Sequence, residues 1–153
     1  ITGDATLCDN EMIDKAIISH LSTSCDVTFM KNMPFGTHKE IVSAGTIKTI
    51  IENASIPENT EYLEYYLEND RNFNINYISS EYSFDKNLRM TLDYKEDLDF
   101  FTKIYTHFNE INPNFSLGDA IDWLNKNGDV SNINSKMTQK NPGNLNLDIS
   151  LKI

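Results

Sequence analysis

Positive charge, cysteine and long apolar stretches are all scarce in this sequence, and each scarcity excludes a class of function. The 153 residues include 13 Lys and Arg against 23 Asp and Glu, a formal net charge of -10. Nucleic acids and anionic membranes are bound through basic surfaces, so this balance argues against both as partners. No apolar run approaches the roughly 20 residues that a membrane-spanning helix requires. We expect a soluble globular protein that binds neither nucleic acid nor membrane.

The two cysteines, Cys8 and Cys25, are too few for a disulfide framework, and Cys25 directly precedes an apolar, strand-like run. We expect both thiols to be reduced and the protein to be cytoplasmic. A zinc site built from Cys8, His20 and Cys25 is an alternative, although no close Cys or His pair has ligand spacing. A nucleophilic Cys/His pair is a further alternative that the spacing does not support.

The chain begins at Ile1 without an initiator Met, a basic region or an apolar signal core, so we interpret this start as a cut inside a larger protein. The length suits one domain with a sizeable core. After Gly128 the sequence becomes rich in Asn, Ser and Gly, which is typical of an extended or partly disordered arm. We therefore divide the chain into a partial domain, residues 1–127, and a C-terminal tail or arm, residues 128–153.

Apolar periodicity predicts strands that alternate with helices. Strands are expected at residues 1–3, 26–30, 40–42, 74–78 and 88–92. Helices are expected after Asp9, after Ser43, from about Glu58, after Asp93, and after Ser116, which has capping-box spacing to Asp119. Such alternation favours a mixed or parallel α/β sheet.

Helical spacing also predicts which apolar side chains face the core. In the helix after Ser43 we expect Ile47 and Ile51 to point inward together with Ile50. In the helix after residue 93, the predicted buried face consists of Leu98, Phe101, Ile104, Tyr105 and Phe108. Both helices are expected to be amphipathic.

Two aspartates each follow a predicted strand: Asp4 after residues 1–3, and Asp93 after residues 88–92. In open α/β sheets this edge is where ligands bind. If the two strands are neighbours, the carboxylates converge, which is what Mg²⁺ on substrate phosphates requires. The alternatives stay open, because Asp93 has capping-box spacing to Glu96 and Asp4 suits an ordinary loop aspartate.

Cations and aromatic residues near the same edge also have two interpretations. Arg89, Lys86 and Lys39 lie in or beside predicted loops or strand ends, where they could meet an anionic substrate group. Solvated surface positions would explain them equally well. Three tyrosines in the predicted third helix suggest either a sugar-stacking patch or core packing.

Several stretches together carry a family resemblance. They are ITGDATLCDNEMIDKAI, MPFGTHKEIVSAGTIKTI, NTEYLEYYLEN, LRMTLDYKEDLDFFTKIY and FSLGDAIDWLNKNGDVSNINSKMTQK. They resemble the cytidylyltransferases of the spore-coat-polysaccharide type, relatives of the acylneuraminate and Kdo cytidylyltransferases. Asp4 and Asp93 fall on the two metal aspartates of that family. This sequence departs from the family pattern at two positions: Thr6 stands where the family usually has proline, and Phe35 stands where it has aspartate.

The resemblance implies an α/β, three-layer, Rossmann-like nucleotide-diphosphosugar transferase fold (GT-A-like) with its N-terminal part missing. Nothing in the sequence matches the basic, Ser-rich loop that cradles the nucleotide in the family. For the complete protein, the resemblance implies a cytidylyltransferase in which a hydroxyl of an acidic sugar attacks CTP and releases pyrophosphate, for surface polysaccharide biosynthesis. Asp4 and Asp93 would hold Mg²⁺, and Glu40, Lys39 and Arg89 are weaker candidates for contacts to the sugar.

Three expectations follow for the isolated chain. It should be inactive, because it lacks the nucleotide-cradling segment. It should form a homo-oligomer through an open sheet edge or through the tail, and a compact monomer in sedimentation at high concentration would contradict this. A non-catalytic binding or scaffolding module of the same fold, or a transferase for another nucleotide, are the alternative functions.

Overall fold

A computed structural model describes residues 5–53, 66–67 and 72–138. The elements in chain order are α1 (Asn10–Thr23), β1 (Val27–Lys31), β2 (Glu40–Val42), α2 (Ala44–Asn53), β3 (Ile75–Ser79), α3 (Lys95–Ile111), α4 (Leu117–Lys126) and α5 (Gly128–Ser131). Tyr66 and Leu67 are also helical. The predicted strand at residues 1–3, and all of the predicted helix from Glu58 except those two residues, lie outside the described part of the chain.

The described strands form one sheet in the order β2-β1-β3. β1 runs antiparallel to β2, with Val27 opposite Val42, and parallel to β3, with Val27 opposite Ile75. Four consecutive residues of β1 are buried, so this central strand is covered on both faces. The mixed sheet agrees with the prediction.

Helices cover both faces of β1, because successive side chains of a strand point to opposite sides. Val27 and Phe29 pack on one side with Ile50 of α2. Met30 packs on the other side with Met12 and Ala16 of α1. Helix, sheet and helix make three layers, which confirms the predicted α/β class. The caps at Asp9, Ser43 and Ser116 also form as predicted.

Four local hydrogen bonds fix where three helices begin. The carboxylate of Asp9 accepts from the first turn of α1 at 3.0 Å, and Ser43 Oγ accepts from the Thr46 amide at 3.0 Å. Ser116 Oγ accepts from the Asp119 amide at 3.1 Å, while Asp119 Oδ2 accepts from the Ser116 amide at 2.8 Å. Each bond pairs an amide that has no partner within the helix.

The inward faces of α2 and α3 agree with the prediction in part, since Ile50, Phe101, Ile104 and Phe108 are buried as predicted. Ile47, Ile51 and Leu98 are 38%, 59% and 54% exposed, so their predicted burial is wrong. The buried face of α3 consists of Asp97, Phe100, Phe101, Ile104 and Phe108. It is set by contacts with the segment around Met90 and with α4, which helical spacing alone does not reveal. Periodicity therefore identified both helices but wrongly predicted that Ile47, Ile51 and Leu98 are buried.

The predicted strand at residues 88–92 is also wrong, because only one isolated bridge forms there. Arg89 pairs in parallel with Phe35, and the Met90 amide donates to the Phe35 carbonyl at 2.7 Å. Phe35 lies in a tight turn rather than in a strand, so the ladder cannot extend. The segment is buried and tied to the β1–β2 connection by this single pairing.

The first residues of the tail pack onto the domain. Val130 and Ile133 contact the core formed by α3 and α4, and Asn134 is fully buried. The division of the chain after residue 127 stays a prediction, as does the homo-oligomer. No helix in the described ranges is long and apolar enough to cross a membrane.

Candidate metal and substrate site

Asp93 lies just before α3 with its side chain 30% exposed. Its Oδ2 accepts hydrogen bonds from the Arg89 guanidinium and, at 3.4 Å, from Thr91 Oγ1. Within the described residues, its second oxygen, Oδ1, receives no hydrogen bond. One oxygen is therefore held while the other is open to a ligand, and carboxylate oxygen is the ligand that Mg²⁺ prefers. The carboxylate of Asp93 fits the predicted metal ion as one ligand.

The capping interpretation of Asp93 is wrong, because α3 starts one residue later than the sequence suggested. Its N-cap is Tyr94, and Asp97 rather than Glu96 accepts the backbone hydrogen bonds. Asp97 Oδ2 lies 2.9 Å from the Asp93 nitrogen and 3.0 Å from the Tyr94 nitrogen. Asp97 thus satisfies the helix start, which leaves the carboxylate of Asp93 available for other chemistry.

Arg89 holds the two aspartates together from inside the protein. Its Nε donates to Asp97 Oδ1 at 3.0 Å and its Nη2 donates to Asp97 Oδ2 at 3.2 Å, a two-point contact that only a guanidinium makes. The guanidinium carbon lies 5.4 Å from the ring centres of both Phe35 and Tyr94. Only 5% of the side chain is exposed. This geometry supports a positioning role, and the predicted contact of Arg89 with the sugar stays a prediction.

Asp97 is fully buried and surrounded by donors. Burial by itself raises the pKa of its carboxyl, but hydrogen bonds from Arg89, from the Asp93 and Tyr94 amides and from Asn134 hold that pKa below its ordinary value. Asn134 Nδ2 donates to Asp97 Oδ1 at 2.8 Å and to the Arg89 carbonyl at 3.1 Å. The charged form of Asp97 is therefore part of the folded structure.

This lowered pKa makes stability depend on pH. The contribution of Asp97 is fully present above its unfolded pKa of about 3.9 and is lost as pH falls through the lower folded pKa. We expect the free energy of unfolding to fall on acidification below about pH 4, and to fall less steeply in Asp97→Asn. Urea unfolding at a series of pH values measures this. Asp99→Asn, on the exposed side of α3, should keep the wild-type slope, and an equally steep slope in Asp97→Asn would contradict the prediction.

The remaining predicted site residues lie at the carboxyl end of β1 or beyond the described ranges. Glu40 opens β2 opposite Phe29, and Lys39 precedes it; both side chains are half-buried. The connection that contains Lys39 also contains Phe35, which pairs with Arg89. Contacts of Lys39 and Glu40 with a sugar stay predictions. Asp4 lies outside the described residues, so its meeting with Asp93 is untested.

A polar cleft that the sequence did not reveal opens at the carboxyl end of β3. It has a volume of about 550 Å³ and is lined by Asp9, Glu11, Met12, Lys15, Ile78, Ser79, Ser80, Glu81 and Tyr82. The Tyr82 hydroxyl donates to Asp9, and burial together with this carboxylate raises the pKa of Tyr82 well above its usual value. Beside the cleft, Asn32 Nδ2 donates to the Ser80 carbonyl at 2.9 Å, which ties the end of β1 to that of β3.

Of the three residues in the zinc alternative, only His20 and Cys25 lie close together. His20 Nδ1 lies 3.2 Å from both Cys25 Sγ and Thr28 Oγ1, in the buried space between α1 and β1. The nearest partner of Cys8 is instead the Ala5 carbonyl, at 3.8 Å. Across the described ranges, no group of three or more His, Cys, Asp or Glu side chains could hold a metal ion. Those residues thus give the zinc alternative no support.

A three-layer α/β sheet with polar side chains gathered at the carboxyl ends of its parallel strands is the Rossmann-like arrangement of nucleotide-binding folds. A solved cytidylyltransferase structure from Leptospira borgpetersenii has this fold, with a TM-score of 0.75 at 22% identity, covering 85% of this chain and 56% of that one. The chain therefore has a Rossmann-like nucleotidyltransferase fold, as predicted.

Two curated proteins are similar to this chain in sequence. The uncharacterized protein MJ1063 of Methanocaldococcus jannaschii is 31% identical over 142 residues, which is 92% of this chain and 58% of that protein. The spore coat polysaccharide biosynthesis protein SpsF of Bacillus subtilis is 27% identical over 134 residues, 86% of this chain and 55% of SpsF. No family model matches the chain.

The chain thus spans somewhat more than half the length of the relatives it matches. Homology to SpsF and the shared fold support the predicted resemblance to the cytidylyltransferases. The relation to the acylneuraminate and Kdo enzymes stays a prediction.

Proposed function

We propose that this chain belongs to a sugar nucleotidyltransferase that uses CTP. The observation that carries the proposal is Asp93, whose carboxylate is fixed through Oδ2 and open at Oδ1 in a fold shared with a cytidylyltransferase. In the reaction, a sugar hydroxyl oxygen bonds to the α-phosphorus of CTP. The bond from that phosphorus to the bridging oxygen breaks, pyrophosphate leaves, and the hydroxyl proton passes to solvent.

Each residue has a role in this proposal. Asp93, with Asp4 as its proposed partner, would hold a Mg²⁺ ion, which when bound supplies neutralisation of phosphate charge. Arg89 keeps the carboxylate of Asp93 aimed. Glu40 is suited to accept hydrogen bonds from sugar hydroxyls, and Lys39 to meet an anionic group. These residues mainly position the reactants.

The identity of the sugar is a finer part of the same proposal. The sequence resemblance supports an acidic sugar and a reaction in the cytoplasm. The name of SpsF, a spore coat polysaccharide biosynthesis protein, supports use of that sugar in surface polysaccharide. Pyrophosphate release by the full-length protein, measured with CTP, UTP, GTP and ATP against acidic and neutral sugars, tests base and sugar together. Turnover only with a neutral sugar, or only with another nucleotide, would overturn the corresponding part.

The metal site has its own test, which is Mn²⁺ titration of the protein and its variants. We expect Asp93→Asn and Asp4→Asn each to weaken Mn²⁺ binding at least about tenfold, since each removes a charged oxygen ligand. Asp99→Asn is the matched control, because Asp99 is exposed on α3 and pairs with Lys95 at 2.8 Å. Equal Mn²⁺ affinity in wild type and Asp93→Asn would refute the proposed site.

A further inference from the structure

Asn134 lies at one end of a series of buried contacts that ends on Asp93. Its amide nitrogen donates to two acceptors, Asp97 Oδ1 at 2.8 Å and the Arg89 carbonyl at 3.1 Å. These acceptors are 37 and 45 residues away in the sequence. No part of Asn134 is exposed to solvent. The residue therefore links the segment after α5 to the centre of the candidate site.

The orientation of this amide is fixed by its acceptors. In the described residues, Asn134 Oδ1 is buried without a hydrogen-bond partner. Turning the amide over would not relieve this, because it would direct Oδ1 at the Asp97 carboxylate and the Arg89 carbonyl, which are themselves acceptors. A buried acceptor without a donor costs stability. In the observed orientation, Asn134 Nδ2 donates to both acceptors while its Oδ1 receives no described hydrogen bond.

Asp97 passes this constraint on to Asp93 by two routes. One route is the backbone, since Asp97 Oδ2 accepts from the Asp93 amide at 2.9 Å. The other route is Arg89, which grips both oxygens of Asp97 and donates to the Asp93 carboxylate. Asn134 is a further donor to Asp97 that belongs to neither route. Removing it would leave Arg89 Nε as the remaining described donor to Asp97 Oδ1 and would take a donor away from the Arg89 carbonyl, so we expect both routes to Asp93 to loosen.

We propose that Asn134 is a positioning residue for the metal-binding carboxylate of Asp93, so that the segment following residue 127 is part of the site. The inference rests on the proposed function, because it requires Asp93 to hold a cation. It assigns Asn134 no contact with substrate. Partners behind a metal ligand commonly set its affinity for the ion, by about 10- to 100-fold when they are replaced.

The test compares two asparagines of the same region. Asn134→Ala is expected to weaken Mn²⁺ binding about tenfold. The matched control is Asn127→Ala, which also loses a side-chain hydrogen bond, to the Trp123 carbonyl at 2.8 Å, but has no link to Asp97. The control should keep wild-type Mn²⁺ affinity even where its urea midpoint falls. Equal Mn²⁺ affinity in Asn134→Ala and wild type would overturn the inference.

The two single variants together separate this inference from the proposed function. If Asp93→Asn leaves Mn²⁺ binding unchanged, the proposed function fails. If Asp93→Asn weakens binding and Asn134→Ala does not, only the inference fails.

The double variant gives a further test. Because Asn134 is proposed to act through Asp93, adding Asn134→Ala to Asp93→Asn should cause no further loss of Mn²⁺ affinity. A full tenfold further loss would overturn the proposal. Should Asn134→Ala not fold, Asn134→Ser is measured instead, since a single hydroxyl proton cannot serve both acceptors.

Discussion

Replacing Arg89 by alanine is expected to lower the free energy of unfolding by about 3–5 kcal/mol. The reason is the buried carboxylate that the change leaves behind, because Asp97 has no exposure and takes two hydrogen bonds from this guanidinium. The stacking of the guanidinium between Phe35 and Tyr94 is lost as well. Urea unfolding monitored by circular dichroism measures the change.

Two comparisons give this prediction its meaning. Arg89→Lys keeps the positive charge but cannot make the two-point contact with the Asp97 carboxylate, so it should be more stable than Arg89→Ala and less stable than wild type. Lys95→Ala removes the ion pair with Asp99, whose side chains are 80% and 53% exposed, and should change stability by less than about 1 kcal/mol. If Arg89→Ala cost no more than Lys95→Ala, the buried pair would not be holding the segment in place.

The features that the sequence predicted are those that depend on neighbouring residues. Asp9, Ser43 and Ser116 cap helices as expected, because capping needs only a side-chain oxygen and an amide two or three positions further on. The strands at residues 27–31 and 75–79 were predicted within one residue for the same reason. Local chemistry was sufficient for these elements.

The errors arise where a distant contact decides between local options. Residues 88–92 have strand composition, yet among the described residues their ladder pairing is limited to one bridge, with the turn at Phe35. The start of α3 moved by one residue because Asp97 also binds Arg89 and Asn134, and this combination fixes it at the third helical position. Neither partner is detectable from spacing. The polar composition after residue 127 likewise gave no signal that Asn134 is buried.

For the candidate site, the sequence therefore predicted the ligand but not its support. Asp93 was predicted from its place after an expected strand, which does not form, and from a family resemblance. The structure adds that its carboxylate does not cap α3. Asp97 was visible only as one acid in a run of several. Arg89 was predicted as a substrate contact, whereas its burial and two aspartate partners support a role in holding Asp93.

Gly36→Ala is expected to destabilise the protein by roughly 3 kcal/mol, from backbone strain and overpacking together. Gly36 has φ +93, and an added Cβ would lie 2.6 Å from the Met90 oxygen and 2.8 Å from Thr91 Cβ. The Met90 oxygen belongs to the backbone, so the chain must move, and the 2.7 Å hydrogen bond from the Met90 amide to the Phe35 carbonyl moves with it.

Gly128→Ala is the control for Gly36→Ala. Its added Cβ meets nothing within 4 Å, so this change should alter stability little. Urea midpoints that agree for the two variants would contradict the prediction. A loss confined to Gly36→Ala would show that the protein requires the close approach of the β1–β2 turn to the Met90 backbone.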